Sequence, residues 1–216
     1  MNFSNYSHII WDWNGTLCND TEWCINVINR MLLKRGLKTF KNINEYRNIF
    51  CFPVIDYYKK IGFDFEKEPF EELAAEFISL YHSYENNSFK LHNHAEAVLR
   101  EIHMKGITQI ILSASETDNL LHQMSGFDIR QYFDEILGIS DIYAVSKTEM
   151  GLDYVKRNQL KCGLLIGDTE HDFETAEKLK LDCILIANGH QSREKLITCG
   201  VPVFNEISEV LILITH

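Results

Sequence analysis

Several polar residues stand at the ends of apolar, strand-like runs, and their chemical types suit reactions at phosphorus. They are Asp12 and Thr16 after a first run, Ser113 at the end of a second, Lys147 at the start of a predicted helix, and Asp168 and Asp172 after a fourth run. Carboxylates held close together repel each other unless a cation lies between them, and their hard oxygen atoms suit Mg²⁺. A carboxylate can also attack phosphorus and form an aspartyl-phosphate, while hydroxyls and a lysine bind the transferring group.

The elements that position these residues follow an alternating pattern. Short apolar runs predict strands over 8–13, 108–115, 133–140, 163–169, 182–189 and 201–205. Amphipathic segments between them predict helices over 94–106, 153–160, 171–180 and 192–200. Apolar strands that alternate with helices indicate a mostly parallel sheet covered on both faces. Ligands bind outside the carboxyl ends of such strands, so one sheet edge would bring the polar residues together.

One long segment interrupts this alternation. Between residues 19 and 90 no buried strand is evident, and helical patterns cover 21–36, 53–62 and 69–84. This insertion predicts a second, all-helical unit after the first strand. We therefore expect a core domain made of residues 1–18 and 91–216, and a helical cap domain made of residues 19–90.

The composition narrows the class of protein. A net charge of −10, with no cluster of lysines or arginines, disfavours nucleic acid as a partner. No segment approaches the roughly 20 apolar residues that span a bilayer. The six cysteines form no C-x-x-C pair, so no metal finger or redox motif is indicated. We expect a cytoplasmic protein without a membrane partner, and the sequence indicates nothing about its oligomeric state.

The motifs resemble those of a known family. DWNGTL (12–17), Ser113 in ILSAS, Lys147 and GDTEHD (167–172) are similar in order and spacing to the four motifs of the haloacid dehalogenase-like hydrolases. The helical insertion looks like the C1 cap of that family, whose phosphoglycolate phosphatase-like branch is the most similar. The resemblance implies a Rossmann-like parallel sheet core with an inserted all-helical cap domain.

The resemblance also implies roles for individual residues. Asp12 would be the nucleophile, and the catalytic group would comprise Asp12, Asn14 and Lys147. The Mg²⁺ ligands would be Asp12, Asp168, Asp172 and the backbone carbonyl of Asn14. The phosphoryl group would be bound by Thr16, Ser113, Ala114 and Lys147. The implied activity is Mg²⁺-dependent hydrolysis of a small phosphorylated metabolite, a phosphate monoester, through an aspartyl-phosphate intermediate.

Two positions depart from the family pattern. Thr148 stands where proline usually follows the lysine, and Asn14 stands where family phosphatases carry the aspartate that protonates the leaving oxygen. An amide cannot exchange a proton near neutral pH, and loss of a positioned acid–base typically costs ~10²–10⁴ in rate. The substrates could have good leaving groups, such as acyl or aryl phosphates. Another group, such as His171, Asp20 or Glu22, could supply the proton. Alternatively, the protein binds or senses phosphorylated ligands and turns them over weakly.

Three further histidines have less definite assignments. The segment NGHQS (188–192) predicts a turn before a helix capped by Ser192, although Asn188 and His190 could line a site entrance. His92 and His94 are expected to lie in a solvated loop.

Overall fold

A six-stranded parallel sheet forms the centre of the predicted core. The computed structural model describes residues 6–83, 89–139 and 146–213. The strands are β1 (His8–Trp11), β2 (Thr108–Glu116), β3 (Glu135–Ile139), β4 (Gly163–Gly167), β5 (Asp182–Ile186) and β6 (Val203–Phe204). Their order is β3-β2-β1-β4-β5-β6, and every neighbouring pair is parallel. Each predicted run therefore contains a strand, and the expected α/β, Rossmann-like fold is confirmed.

Helices cover both faces of this sheet because its strands are apolar on both sides. On one face α5 (Ala95–Met104), α6 (Thr117–Met124) and a 3₁₀ segment, Ile207–Leu213, pack against the side chains of Ile9 and Trp11. On the other face α7 (Lys147–Arg157), α8 (Glu170–Leu179) and α9 (Arg193–Ile197) pack against Ile10. The strand order reverses between β1 and β4, and the crevice beyond their carboxyl ends is the expected ligand site.

The insertion between β1 and β2 is helical. It contains α1 (Thr21–Lys34), α2 (Ile43–Ile49), α3 (Val54–Lys60) and α4 (Phe70–His82), which share an apolar cluster of their own. The sequence patterns missed α2 and α6. The predicted helix 69–84 and the predicted strand 133–140 each end at a residue, 84 and 140, that lies outside the described ranges. Within those ranges, no helix is long and apolar enough to cross a lipid bilayer.

The two connections between the sheet and the helical insertion run side by side. The backbone N–H of Asn19 donates to the carbonyl of Lys90 at 2.8 Å, and that of His92 donates to the carbonyl of Leu17 at 2.9 Å. The paired connections lie close to the expected domain limits at 18 and 91. The division into residues 1–18 with 91–216 and residues 19–90 itself stays a prediction.

Candidate active site

Asp12 follows the end of β1 directly, in the middle of the sheet. Its side chain is buried, and one carboxylate oxygen accepts a hydrogen bond from the ammonium of Lys147. The other oxygen lies 3.1 Å from the hydroxyl of Thr16, which is also 3.2 Å from a carboxylate oxygen of Asp168. Burial raises the pKa of Asp12 to about 6, although Lys147 opposes the effect. The residue is therefore a buried carboxylate with a cation on one side and a hydroxyl on the other.

A tight turn carries the chain from Asp12 to Thr16. The N–H groups of residues 16, 17 and 18 all donate to the carbonyl of Trp13. Gly15 has a φ of +77°, and a Cβ there would lie 2.4 Å from a carboxylate oxygen of Asp168. The turn therefore requires glycine both for its backbone conformation and for the close approach of Asp168.

Lys147 and Asp172 come from the first turns of two neighbouring helices. Ser146 caps α7 and so fixes Lys147 as its first residue. The carboxylate of Asp172, in the first turn of α8, accepts from the N–H and the hydroxyl of Thr169 at 3.0 and 2.7 Å. The Lys147 ammonium lies 2.6 Å from the other Asp172 oxygen. Burial would raise the pKa of Asp172, but Lys147 and Thr169 outweigh burial and lower it.

Asp168 completes an acidic group at the end of β4. Oxygen atoms of Asp12, Asp168 and Asp172 all lie within 4.8 Å of one another. The backbone N–H of His190 donates to Asp168 at 2.6 Å. Burial, together with repulsion from the other two carboxylates, raises the pKa of Asp168 to about 8. These three residues could hold a divalent cation, which would reverse that repulsion.

The phosphate-binding residues implied by the resemblance lie around the same carboxylates. Ser113 is buried and Ala114 is exposed, and both line a cavity that Asp12 and Lys147 also line. The hydroxyl of Ser113 accepts a hydrogen bond from the N–H of Ser115 at 3.0 Å. The roles assigned to these residues stay predictions.

Asn14 lies in a saturated hydrogen-bond network. Its amide nitrogen donates to Asp20 at 2.9 Å and to the hydroxyl of Tyr81 at 3.0 Å, while its oxygen accepts from Ser115 at 2.7 Å. The Tyr81 hydroxyl donates in turn to Asp20 at 2.8 Å. This network joins the turn after β1 to the residue that precedes α1 and to α4.

Asp20 and His190 form a buried ion pair beside this network. The Nε2 of His190 lies 3.3 Å from Asp20, and its Nδ1 lies 2.9 Å from the hydroxyl of Tyr46. Burial alone would lower the pKa of His190, but Asp20 and Asp168 raise it to about 9. Burial would raise the pKa of Asp20, but His190, Tyr81 and Asn14 lower it to about 2. Cys24 lies beside this pair, with ligand atoms of the three residues within 4.8 Å of one another, and its thiol donates a hydrogen bond to Asp20 at 3.5 Å.

Several sequence-based interpretations are corrected here. Asp20 accepts hydrogen bonds from Gly15 and Tyr81 and pairs with His190, and Glu22 is exposed on α1 and does not line the site cavity. Neither is therefore placed to supply the missing proton. His92 is buried with its Nδ1 3.3 Å from the Asn188 amide, rather than solvated. His190 belongs to the site rather than to a plain turn. Its only sequence signal was its place after the fifth apolar run.

The insertion contacts the core at the edge of the site. The Arg47 guanidinium donates to the carbonyl oxygens of residues 188 and 189 at 2.6 and 2.7 Å. The carbonyl of Phe50 accepts from Lys195 at 2.8 Å and from Gln191 at 3.3 Å. In both directions, therefore, a side chain of one unit donates hydrogen bonds to backbone carbonyl oxygens of the other unit.

A cavity of about 690 Å³ lies between the sheet edge and the insertion. Its lower wall holds the polar groups described above, among them Asp12, Asn14, Ser113, Lys147 and Asp168. Its upper wall is mostly apolar and includes Ile28, Phe50, Phe52, Val54, Tyr57 and Phe77. This combination of a polar base and an apolar roof is typical of a site for small molecules.

The comparisons with known proteins agree with this fold. The profile of the haloacid dehalogenase-like hydrolases matches residues 9–186. The chain therefore belongs to the haloacid dehalogenase-like hydrolase family, and the resemblance of its motifs is confirmed. A comparison with curated proteins gave no significant match.

Solved structures share this fold over nearly their whole length. A protein described as a predicted phosphatase from Clostridium acetobutylicum has a TM-score of 0.74 and 22% sequence identity, over 95% of this chain and 96% of that one. A predicted phosphoglycolate phosphatase from Haemophilus somnus has a TM-score of 0.76 and 16% identity, over 97% and 98%. Protein tyrosine kinase A from Mycobacterium tuberculosis has a TM-score of 0.78 and 17% identity, over 96% and 97%. At these identities the likeness shows the fold alone.

Proposed function

We propose that this chain is a Mg²⁺-dependent phosphatase that hydrolyses a small phosphate monoester through an aspartyl-phosphate on Asp12. One observation carries the proposal. The buried carboxylate of Asp12 lies within 4.8 Å of the carboxylates of Asp168 and Asp172 and contacts Lys147. A nucleophile, an acidic group for a metal and a cation are what phosphoryl transfer to a carboxylate requires.

The residues present fit a divalent cation. The donor set consists of carboxylate oxygens, which suit Mg²⁺, and burial together with repulsion from Asp12 and Asp172 raises the pKa of Asp168. These three side chains, with the backbone carbonyl of Asn14, would hold the ion. When bound, Mg²⁺ would offset negative charge on the carboxylates and on the phosphoryl oxygens.

The reaction follows from the placement of this chain's own groups. An oxygen of Asp12 attacks phosphorus, and the new bond forms as the ester P–O bond breaks and its electron pair leaves with the alcohol oxygen. Lys147 offsets charge on the transferring group, while Thr16 and Ser113 donate hydrogen bonds to its oxygens. Water then attacks phosphorus, and the bond between phosphorus and the Asp12 oxygen breaks with its electron pair returning to the carboxylate. Inorganic phosphate leaves, and the proton lost by the attacking water passes to solvent.

The relatives support the chemical class but not one substrate. Of the three similar structures described above, one carries the name of a phosphoglycolate phosphatase and another that of a tyrosine kinase. We propose that the partner of this chain is a small phosphorylated metabolite, with no nucleic acid or membrane involved, because the helical insertion lies over the sheet edge and leaves a cavity of about 690 Å³. We propose a cytoplasmic location as well.

The second candidate function is that of a binding or regulatory protein that holds phosphorylated ligands and turns them over weakly. This candidate is favoured by Asn14, which stands where family phosphatases carry an acidic residue. Phosphate release from 4-nitrophenyl phosphate separates the two functions, because this ester needs little protonation of its leaving group. We expect release that requires Mg²⁺, stops with EDTA, and falls by roughly 10³-fold or more in Asp12→Ala. Release no greater than that of Asp12→Ala would favour binding without catalysis.

A further inference from the structure

The side chain of Asn14 offers no hydrogen to a leaving group. Both N–H groups of its amide are used, one by Asp20 at 2.9 Å and one by Tyr81 at 3.0 Å. The amide oxygen accepts from Ser115 at 2.7 Å, which fixes the orientation of the side chain. Because an amide does not ionise near neutral pH, an ester bound here loses its alcohol without a proton from position 14.

The neighbouring polar groups do not replace it. Asp20 accepts hydrogen bonds from Gly15 and Tyr81 as well as from Asn14, so its oxygens act as acceptors. The ammonium of Lys147 donates to Asp12 and Asp172. With Asn14, Asp20 and Lys147 engaged in this way, we expect the leaving oxygen to carry its own negative charge, which favours the anion of an acidic alcohol such as a phenol.

The roof of the cavity matches a flat, apolar group. Phe50 and Phe52 lie edge to face with centroids 5.5 Å apart, and Phe50 contacts Tyr57 in the same way at 5.1 Å. The ring of Phe52 stacks on the core residue His171, with centroids 4.7 Å apart. A cavity walled by such rings gains most from burying an aromatic or apolar ligand.

The charges of the cavity disfavour a second anionic group on the substrate. Among the described residues that line the cavity, the cations are Lys147, which two carboxylates already hold, and His190, which Asp20 already holds in an ion pair. Arg47 lies near the roof, but its guanidinium donates to the carbonyl oxygens of residues 188 and 189. A substrate carboxylate, such as that of phosphoglycolate, would be buried without a cationic partner at a high cost in free energy.

We propose that the substrate is the phosphate monoester of a phenol-like alcohol with no further negative charge, its ring lying under Phe50 and Phe52 while Asn14 leaves the departing oxygen unprotonated. This inference rests on the proposed function and specifies its substrate class.

Matched esters test the proposal on the unaltered protein with Mg²⁺. Phenyl phosphate and benzyl phosphate both carry a ring, but benzyl alcohol is a much weaker acid than phenol. We expect kcat/KM for phenyl phosphate to exceed that for benzyl phosphate by roughly 10²-fold or more, since a missing acid costs that much. We expect 2-phosphoglycolate to be the poorest of the three.

Two variants test whether the aromatic side chains in the roof of the cavity bind the ring of the substrate. Phe52→Leu removes a ring that lines the cavity, and we expect it to raise KM for phenyl phosphate by roughly three- to tenfold. Phe65→Leu removes a half-buried ring of the same helical unit that does not line the cavity, and we expect no change in KM. Melting temperatures measured alongside exclude loss of folding as the cause of a raised KM.

The outcomes separate the two proposals. No phosphate release from any ester above that of Asp12→Ala would overturn the proposed function, and this inference with it. Turnover with equal rates on phenyl and benzyl esters would overturn only the inference, and would point to an acid elsewhere in the cavity, such as His171. A preference for 2-phosphoglycolate would also overturn the inference, and it would imply that a cation in the cavity pairs with the carboxylate of the substrate.

Discussion

Asn14→Asp is the substitution that most directly probes the missing acid. The new carboxyl would place an oxygen where the amide nitrogen now lies, 2.9 Å from a carboxylate oxygen of Asp20. Two carboxylates at this distance share one proton. Asp20 keeps its hydrogen bonds from Gly15 and Tyr81 and its ion pair with His190, so the proton would reside on the new carboxyl.

The distance between position 14 and Asp20 sets how far the pKa of the new carboxyl rises. At an effective dielectric constant of about 20, two unit charges 2.9 Å apart repel each other by on the order of 6 kcal/mol. Each 1.36 kcal/mol corresponds to about one pH unit, so the repulsion raises the pKa of the new carboxyl from about 3.9 into the neutral range or above. A protonated carboxyl beside the leaving oxygen is a general acid, which typically contributes ~10²–10⁴ in rate.

The assay compares the two classes of ester in the variant. We expect kcat/KM for benzyl phosphate to rise by roughly 10²-fold or more in Asn14→Asp, while that for phenyl phosphate changes little. The gain should disappear as the pH rises through the pKa of the new carboxyl, because the acid must be protonated to act. The intact mass of the unaltered protein should be measured first, because deamidation at the Asn14–Gly15 sequence would already place an aspartate at position 14.

The double variant Asn14→Asp with Asp20→Asn is the matched control. It removes the repelling charge, so the pKa of the new carboxyl falls and the gain at neutral pH shrinks. Equal increases for both esters, or no increase for benzyl phosphate, would refute the reasoning about the missing acid.

Three further predictions concern the groups around the site. Lys147→Met leaves two buried carboxylates without their cation, so we expect a loss of ~3–5 kcal/mol in the free energy of unfolding. Because Mg²⁺ would replace the lost positive charge, it should raise the melting temperature of this variant more than that of the unaltered protein. In Gly189→Ala the added Cβ would lie 2.0 Å from an Asp168 oxygen, so turnover should fall by about 10²-fold and calorimetry should show weaker Mg²⁺ binding; unchanged binding would contradict the close approach. In metal-free protein the pKa of His190 is raised to about 9, so the protonated histidine contributes to the free energy of unfolding. This contribution is fully present below about pH 6.5 and is lost as the pH rises through 9. The melting temperature should therefore fall between about pH 6.5 and pH 9, and it should fall less in Asp20→Asn.

The sheet and its acidic group were predictable from the sequence because simple rules govern both. Apolar runs that alternate with amphipathic segments form parallel strands, and the residues after those strands meet at one edge. Asp12, Asp168 and Asp172 obey this rule, and the structure places their oxygens within 4.8 Å of one another. The helix α2 was missed because only Tyr46 of its seven residues is buried, which leaves no apolar period to detect.

The ion pair of Asp20 with His190 was not predictable for a different reason. One partner comes from the connection into the helical insertion and the other from the loop after β5, and no local pattern relates the two. Their proximity depends on how the insertion packs against the core, and the contacts of Arg47 and Phe50 with the loop at 188–191 set that packing. Burial of His92 likewise follows from the paired connections rather than from its own polar neighbours.

The central strand also has a consequence for folding. His8 of β1 lies opposite Thr108 of β2 and opposite Gly163 of β4, so β1 is synthesised well before both of the strands that it pairs with. Contacts this distant in sequence slow folding, and an apolar strand with two unpaired edges invites association between chains. Helices α1 to α4 are synthesised during this interval and can form their own apolar cluster first. Refolding yields should therefore fall with rising protein concentration, whereas the helical insertion should gain its circular dichroism signal before the nucleophile acquires its metal ligands.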